Sequence, residues 1–165
     1  MAERKDRLET YRAKRRPGAT PEPFSAVSSK DTHLFVVHKH SATRLHFDFR
    51  LEWDGVLMSW AVPKGPSYDP NEKRFAAQTE DHPVDYADFE GVIPAGNYGA
   101  GEIIVWDRGK WTPLEDFDEG LRKGKLLFSL DGYKLRGVWT LVRLKNSKTE
   151  WLLIKHKDEY SGSPE

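Results

Sequence analysis

The stretch from Thr43 to Trp53 alternates polar and apolar residues without interruption, and this pattern predicts a β-strand. Side chains of an extended strand point alternately to its two faces, so the apolar residues share one face: Leu45, Phe47, Phe49, Leu51 and Trp53. The other face carries Arg44, His46, Asp48, Arg50 and Glu52. Such a polar face is ordinarily solvated. An imidazole, a carboxylate and a guanidinium in succession instead favour a site that holds a metal ion beside a phosphate.

Short apolar runs separated by turn residues extend along most of the chain. They predict further strands at 33–40, 56–62, 73–80, 102–107, 125–130, 138–144 and 150–156, and one short helix at 115–123. Asp54-Gly55 predicts a hairpin turn and Arg108-Gly109 another turn, whereas residues 81–90 are too polar for a core segment and are predicted to form a loop. We therefore predict a mainly β fold, a small closed antiparallel β-barrel with one or two short helices, because closure removes exposed strand edges.

The proline and glycine positions near the N-terminus predict an arm that precedes the barrel. We expect an N-terminal arm over residues 1–24, a barrel domain over 25–158 and a C-terminal tail over 159–165. A short helix is predicted near residues 8–15, before Pro17-Gly18 breaks it, and the arm is expected to lie outside the core. Its basic cluster, Lys14-Arg15-Arg16, suits a disordered tail and a strand-capturing arm equally well.

Charge is segregated along a chain whose formal net charge is zero. Residues 1–50 carry 11 Lys and Arg against 6 Asp and Glu, residues 51–120 carry 5 against 15, and residues 121–165 carry 10 against 5. Basic ends are compatible with a polyanionic ligand, while the neutral total argues against sequence-blind coating of nucleic acid. The chain has no cysteine, which excludes disulfides, thiolate metal sites and a catalytic cysteine. The sequence lacks an apolar leader or a membrane-spanning run, so we predict a cytoplasmic protein with no membrane partner.

His40, His46 and Asp48 have a spacing, H-x5-H-x-D, that suits a divalent metal ion. Two imidazoles and a carboxylate match Mn, Fe or Zn, and three protein ligands leave coordination positions open for substrate. Three cations, an imidazole and a phenol are available to surround a tetrahedral oxyanion beside the metal: Arg50, Lys64, Arg74, His82 and Tyr86. The pattern is that of a phosphoryl-transfer site. The glycines at 91, 96, 99 and 101 lack the spacing of a P-loop or dinucleotide motif, which argues against a nucleotide cofactor there.

Two long stretches resemble the 3′-phosphoesterase module of bacterial DNA ligase D and its free-standing bacterial and archaeal relatives. They are FVVHKHSATRLHFDFRLEWDGVLMSWAVPKGPS and EDHPVDYADFEGVIPAGNYGAGEIIVWDRGKW, and the similarity extends from Tyr11 to Trp151. The resemblance implies a Mn²⁺-dependent enzyme, with other divalent transition metals as alternatives, that trims DNA or DNA–RNA primer-template 3′ ends in nonhomologous end joining. It implies a phosphodiesterase step that removes a 3′-terminal ribonucleoside and a phosphomonoesterase step that leaves a 3′-OH. A separate ATP-dependent DNA ligase and a polymerase or primase are the implied partners.

The resemblance also assigns roles to individual residues. It places the metal ligands on His40, His46 and Asp48, and the catalytic phosphate contacts on Arg50, Lys64, Arg74, His82 and Tyr86. Positions tied more to the diesterase step fall on Arg15, Glu22 and Glu80. In the implied mechanism the metal acts as a Lewis acid, the cations neutralise developing charge, and His82 serves as acid, base or nucleophile. One position departs from the family's Lys-Arg-Asp pattern, because Arg16 stands where an aspartate is expected, and this reversed charge puts the diesterase step in question.

Two other functions fit parts of the pattern. A histidine and a carboxylate at H-x-D spacing, with His82 or His156 as third ligand, also match the facial triad of an Fe(II) oxygenase. The cluster of Arg and Lys beside the site favours phosphate chemistry over that alternative. A non-catalytic barrel that binds DNA ends and acts with a separate ligase is the second alternative, but such a protein is expected to lack metal ligands, and this chain has all three.

Overall fold

A computed structural model describes residues 7–16, 18–23 and 32–161 of the chain. Within them lie two α-helices, α1 (Glu9–Ala13) and α2 (Phe117–Lys123), and one 3₁₀ helix, η1 (Val84–Asp88). The strands are β1 (Leu34–Ser41), β2 (Leu45–Trp53), β3 (Val56–Val62), β4 (Arg74–Pro83), β5 (Gly91–Ile93), β6 (Gly101–Pro113), β7 (Lys125–Gly132), β8 (Arg136–Arg143) and β9 (Glu150–Lys155). No helix in this part of the chain is both long enough and apolar enough to cross a membrane.

Strand β1 pairs with both β2 and β6, and this double pairing closes the sheet into a barrel. The eight strands of the ring are all antiparallel and follow the order β1-β2-β3-β4-β9-β8-β7-β6. The short strand β5 pairs with the first residues of β6 on the side opposite β1. The prediction of a mainly β, closed antiparallel barrel is therefore confirmed. Every member of the ring has two strand neighbours, which leaves no open sheet edge in it.

Aromatic rings fill the interior of the barrel. Trp60, Trp111, Trp139 and Trp151 are each at most 1% exposed. The apolar face of β2 adds Phe49 and Leu51 to the same cluster, as its alternation predicts, while Leu45 at the strand start is half exposed. Burying one large apolar side chain contributes about 1.5–3 kcal/mol. This interior fixes the orientation of β2 and so holds its polar face in place on the outside of the barrel.

A second apolar cluster lies on the outer side of β1 and β3 and includes residues of the arm. Its buried members are Tyr11, Val36, Leu57, Tyr86, Ala87, Phe89, Ile93 and Ile103. The predicted short helix of the arm is confirmed as α1, but Leu8 and Tyr11 are fully buried. The expectation that the arm lies outside the core is therefore wrong. Burial of these two side chains fastens the arm to the barrel beside β4 and η1.

Two local predictions are also wrong. Residues 81–90 are not an exposed loop, because β4 continues to Pro83, η1 follows it, and His82, Tyr86 and Phe89 are buried. No turn occurs at Arg108-Gly109, since β6 runs unbroken to Pro113. Gly109 serves a close backbone approach instead: a Cβ atom there would lie 2.1 Å from the carbonyl oxygen of Asp131 on β7. The predicted boundary at residue 25 and the tail residues 162–165 lie outside the described residues.

Candidate active site

A pocket of about 280 Å³ opens on the outer face of the barrel, between β1 to β4, η1, the arm and the glycine-containing loop after β5. Nine residues that the sequence predicted as site residues line it: Arg15, Glu22, His40, His46, Asp48, Arg50, Glu80, His82 and Tyr86. The other two, Lys64 and Arg74, line a separate depression at the end of β3 and the start of β4. Sequence spacing alone did not indicate Tyr98 and Gly99, which the loop contributes to the pocket wall.

The polar face of β2 is not solvated. Asp48 is 7% exposed, Arg50 2% and Glu52 1%. Glu52 has a structural role, since one carboxylate oxygen accepts hydrogen bonds from the Thr32 hydroxyl at 2.7 Å and the Leu34 backbone N–H at 2.9 Å. His46, Asp48 and Arg50 of that face line the pocket, whereas Arg44 is exposed. Buried charge is costly unless it is paired, so this face has to be satisfied by its neighbours or by a ligand.

The donor atoms of His40, His46 and Asp48 lie within 4.8 Å of one another. Nδ1 of His40 is 3.5 Å from one carboxylate oxygen of Asp48, and Nε2 of His46 is 3.2 Å from the other. The two rings come from the paired positions His40 and His46 on β1 and β2, with centroids 4.7 Å apart. Neither His82 nor His156 belongs to this group. The facial triad of the alternative function required His82 or His156 beside His46 and Asp48. Among the described residues, His40 takes that third position instead.

The far nitrogen of each imidazole is held by a backbone carbonyl. Nε2–H of His40 donates to Gly99 at 2.8 Å, and Nδ1–H of His46 donates to Arg44 at 3.2 Å, because a carbonyl can only accept. The second nitrogen of each ring faces the Asp48 carboxylate, and the hydrogen bond to that carboxylate raises the pKa of His46 above its ordinary value. A divalent cation at this position takes the place of the proton between imidazole and carboxylate, and its binding releases that proton. The residues therefore fit a metal ion.

Arg50 lies against this cluster, and its guanidinium has four polar partners: His38, Ser59, Asp48 and His82. Its Nε donates to Nδ1 of His38 at 3.1 Å, one terminal nitrogen donates to the Ser59 hydroxyl at 2.9 Å, and the other is 3.4 Å from the Asp48 carboxylate. Its guanidinium also lies over the Tyr86 ring, 4.9 Å from the centroid. Burial acts to raise the pKa of Asp48, but Arg50 and the imidazoles outweigh it and bring that pKa far below its ordinary value. Asp48 is therefore ionised and available as a ligand.

His82 lies between the rings of Tyr11 and Tyr86, with centroids 5.1 Å and 4.7 Å away. Its Nδ1 lies 2.8 Å from the carbonyl oxygen of Glu80, which can only accept, and 3.1 Å from a terminal nitrogen of Arg50, which can only donate. Burial, and after it the charge of Arg50, lowers the pKa of His82 well below its ordinary value. The ring is therefore neutral, and in the tautomer that donates to Glu80 its Nε2 carries the lone pair and can accept a proton or attack an electrophile.

The arm closes one side of the pocket through a chain of charged contacts. Arg15 pairs with Glu22 at 3.1 Å and with Glu80 at 3.3 Å, and its guanidinium lies over the Tyr11 ring. The Tyr86 hydroxyl donates to Glu22 at 2.6 Å. Burial raises the pKa of Tyr86 above its ordinary value, so the phenol remains a hydrogen-bond donor. Arg15 thus links Glu22 and Glu80, and these three residues, which the resemblance tied to the diesterase step, all line the pocket.

His38 is a buried site residue that spacing analysis did not single out. It occupies the same strand as His40, two residues earlier, so the period of two places both imidazoles on the outer face. The two-residue spacing from His40 could have predicted that His38 lies on the site face of β1. The apolar run that precedes His38 indicated a core position instead. Burial lowers its pKa to about 3, and the charge of Arg50 adds to the effect. His38 is therefore neutral and accepts the Arg50 hydrogen bond.

Neutral His38 makes the stability of the fold sensitive to acid. An unfolded chain protonates this histidine below about pH 6.5, whereas the folded chain resists until about pH 3, so stability falls as pH drops through that window. In a His38→Gln variant, whose amide oxygen still accepts from Arg50, we expect the decline in the free energy of unfolding to lessen by about 1.4 kcal/mol per pH unit. Urea unfolding at a series of pH values from neutral to acid measures this pH dependence of the free energy of unfolding. His156→Gln, at an exposed position, is the control. The same pH dependence in the wild type and both variants would contradict the role of buried, neutral His38.

Comparison with known proteins gives a consistent result. The family model described as DNA Ligase D 3′-phosphoesterase domain matches residues 38–143. The multifunctional non-homologous end joining protein LigD of Pseudomonas aeruginosa is 58% identical over 156 residues, which cover 92% of this chain and 19% of that protein. The multifunctional non-homologous end joining DNA repair protein LigD of Mycobacterium tuberculosis is 42% identical over 156 residues, covering 93% and 20%. The chain thus spans about a fifth of the length of these curated relatives.

Proposed function

This chain belongs to the DNA ligase D 3′-phosphoesterase domain family, and on that basis we propose that it is a metal-dependent hydrolase that heals DNA 3′ ends for nonhomologous end joining. The observation that carries the proposal is the convergence of one ring nitrogen from each of two imidazoles and the Asp48 carboxylate beside a buried guanidinium. Its substrates are primer-template ends that carry a 3′-terminal ribonucleoside or a 3′-phosphate. A DNA ligase and a polymerase then act on the 3′-OH that it leaves.

The proposed cofactor is Mn²⁺ or another divalent transition metal, held by His40, His46 and Asp48. When bound, such an ion acts as a Lewis acid toward a phosphoryl oxygen. The backbone carbonyls that accept from both imidazoles fix the orientation of the rings before the ion arrives, and such outer contacts raise the basicity of the ligating nitrogens.

Arg50 supplies the cation that stabilises the developing charge. His38, Ser59 and Asp48 hold its guanidinium in position, so little side-chain reorganisation is needed when a phosphoryl group enters. Tyr86 adds a phenol donor at the same wall of the pocket. Lys64 and Arg74 line the neighbouring depression, and this position supports a proposed role as contacts to the phosphates that flank the reacting one.

His82 moves the proton in this proposal. Its Nε2 accepts a proton from the attacking water as the new P–O bond forms, and the imidazolium then donates that proton to the leaving oxygen as the old P–O bond breaks. The leaving oxygen is the 5′-oxygen of the ribonucleoside in the diesterase step and the 3′-oxygen of the strand in the monoesterase step. The first of these transfers uses the neutral tautomer that donates its Nδ1–H to the Glu80 carbonyl. The alternative, direct attack of Nε2 on phosphorus, requires a phosphohistidine, and trapping that adduct distinguishes the two routes.

The arm residues Arg15 and Glu22, together with Glu80, are proposed to position the terminal ribonucleoside in the diesterase step. The ion pair of Arg15 with Glu80 holds the arm against the pocket, and the pair of Arg15 with Glu22 fixes the guanidinium within the arm. Arg16 is exposed and lines a small cleft with Asn97 and Tyr98 next to the pocket. The reversed charge therefore lies beside the diesterase residues and not among the proposed metal ligands.

The assay that tests the proposal follows a duplex whose primer strand ends in a 3′-phosphate. We expect release of orthophosphate and a 3′-OH that a polymerase extends, in the presence of Mn²⁺ and not with a chelator. A matched duplex that carries the phosphate at its 5′ end is the control and is expected to react far more slowly. Equal hydrolysis of the two ends would refute 3′-end healing, and binding without hydrolysis would favour the non-catalytic end-binding barrel.

A further inference from the structure

The pairing of β2, β3 and β4 shows which side chains lie beside the site on the outer face of the barrel. Asp48 on β2 pairs with Ala61 on β3, and Ala61 pairs with Ala77 on β4. Paired residues lie on the same face of a sheet, so these two small side chains extend from the Asp48 cluster along the outside. Phe75 lies two residues before Ala77 on β4 and therefore shares that face.

Phe75 is 42% exposed, although an aromatic ring on a strand is ordinarily buried. It lines a depression of about 430 Å³ together with Pro63, Lys64, Glu72, Lys73 and Arg74. Arg74 is tied there by an ion pair to Glu72 at 2.7 Å and a hydrogen bond to the Lys64 carbonyl at 3.3 Å. Three cations thus face one carboxylate around an exposed ring, and the depression is positively charged.

We propose that this depression binds the nucleic-acid strand of the substrate, with Phe75 stacking on a base and Lys73 contacting a phosphate. The inference rests on the proposed function and extends it, because it adds a strand-binding subsite to the phosphoesterase pocket. Charge complementarity selects the occupant: a polyanion neutralises the excess of cations, and its unpaired bases offer flat faces to the ring. Proteins that bind single strands without sequence preference combine aromatic side chains that stack on the bases with basic side chains that contact the phosphates.

The geometry also indicates which part of the substrate is held. The alanines at 61 and 77 present no long side chain between the metal cluster and Phe75, so a strand can lie across them. Neighbouring strands are about 4.8 Å apart, which puts β4 about 10 Å from β2. The subsite therefore takes a nucleotide near the reacting end and not a distant part of the duplex.

The first experiment measures kcat/KM with Mn²⁺ on a primer-template with a 3′-phosphorylated overhang and on a 3′-phosphorylated mononucleotide. The ratio of the two values reports strand binding. We expect Phe75→Ala to lower that ratio roughly tenfold, mainly through KM, and Phe75→Trp to restore it. Tyr133→Ala removes another exposed aromatic ring, 84% exposed, and serves as the control with an unchanged ratio. A ratio in Phe75→Ala equal to that of the wild type would overturn the inference.

The second experiment measures binding of the labelled primer-template by fluorescence anisotropy at a series of salt concentrations. The logarithm of the association constant falls as the logarithm of the salt concentration rises. In Lys73→Gln we expect this negative slope to become smaller in magnitude by about one, because one phosphate contact is lost. Lys125→Gln, at an exposed position on β7 across the barrel, is the control with an unchanged slope. If the wild type hydrolyses neither substrate, the proposed function fails, and these binding slopes decide the subsite by themselves: equal slopes in Lys73→Gln and wild type overturn it.

Discussion

A His46→Ala variant is expected to lose Mn²⁺-stimulated hydrolysis of a 3′-phosphate by about a thousandfold. Its Nε2 is one of three donors that converge within 4.8 Å, so removing it leaves two ligands and a poorly held ion. A bound metal contributes several kcal/mol of charge stabilisation in the transition state, and about 4 kcal/mol corresponds to that factor. The measurement is the rate of orthophosphate release at saturating substrate over a titration with Mn²⁺.

His46 suits this test because its side chain is 24% exposed, so its removal opens no deep cavity. His156→Ala is the matched control, since His156 is exposed and its ring bonds to Thr140 on β8 rather than to the cluster. Far-UV circular dichroism and thermal unfolding verify that both variants fold. Full Mn²⁺-dependent activity in His46→Ala would eliminate this residue as a ligand, and a loss in His156→Ala instead would favour a different metal site.

An Arg50→Ala variant is expected to lose activity by a similar factor and also stability. The guanidinium is 3% exposed and bonds to His38 and Ser59 beside the Asp48 carboxylate. Removing it leaves a buried carboxylate with less compensation, and breaking a buried pair in this way costs about 3–5 kcal/mol. The activity falls because a preorganised cation opposite the phosphoryl oxygens is lost. Both effects are measured on one preparation, by urea unfolding and by orthophosphate release.

Arg50→Lys separates charge from geometry. A lysine keeps the positive charge beside Asp48, but its single ammonium does not reproduce the planar guanidinium that contacts four side chains. We therefore expect this variant to recover most of the stability and only a small part of the activity. Activity equal to that of the wild type would contradict a positioning requirement at Arg50 and leave charge alone as its contribution.

The sequence predicted the barrel well because its signals were local. The alternation in β2, the Asp54-Gly55 turn and the apolar run of β3 each lie within a few residues, and the structure has a strand, a turn with positive φ and a strand at those places. Asp116 at the start of α2 caps the helix by accepting from the Glu119 N–H, a signal of the same local kind.

Other features depend on contacts between distant parts of the chain, and local patterns do not contain them. His82 and Tyr86 belong to a polar stretch, yet the arm residue Tyr11 covers them and buries them. Similarly, Lys64 and Arg74 were grouped with the pocket by chemistry alone, whereas the strand ends place them in a depression of their own. The spacing of His46 and Asp48 did predict their proximity, because one strand face carries both.

The measurement that tests the central claim most directly is a time course on a 5′-labelled primer-template that ends in a single 3′-ribonucleotide. With Mn²⁺ we predict first a shorter strand with a 3′-phosphate and then the same strand with a 3′-OH, and neither product with a chelator. Appearance of both products would also establish that Arg16 is compatible with the diesterase step. An unchanged strand, together with an equally unchanged 3′-phosphate substrate in the parallel reaction, would contradict the account.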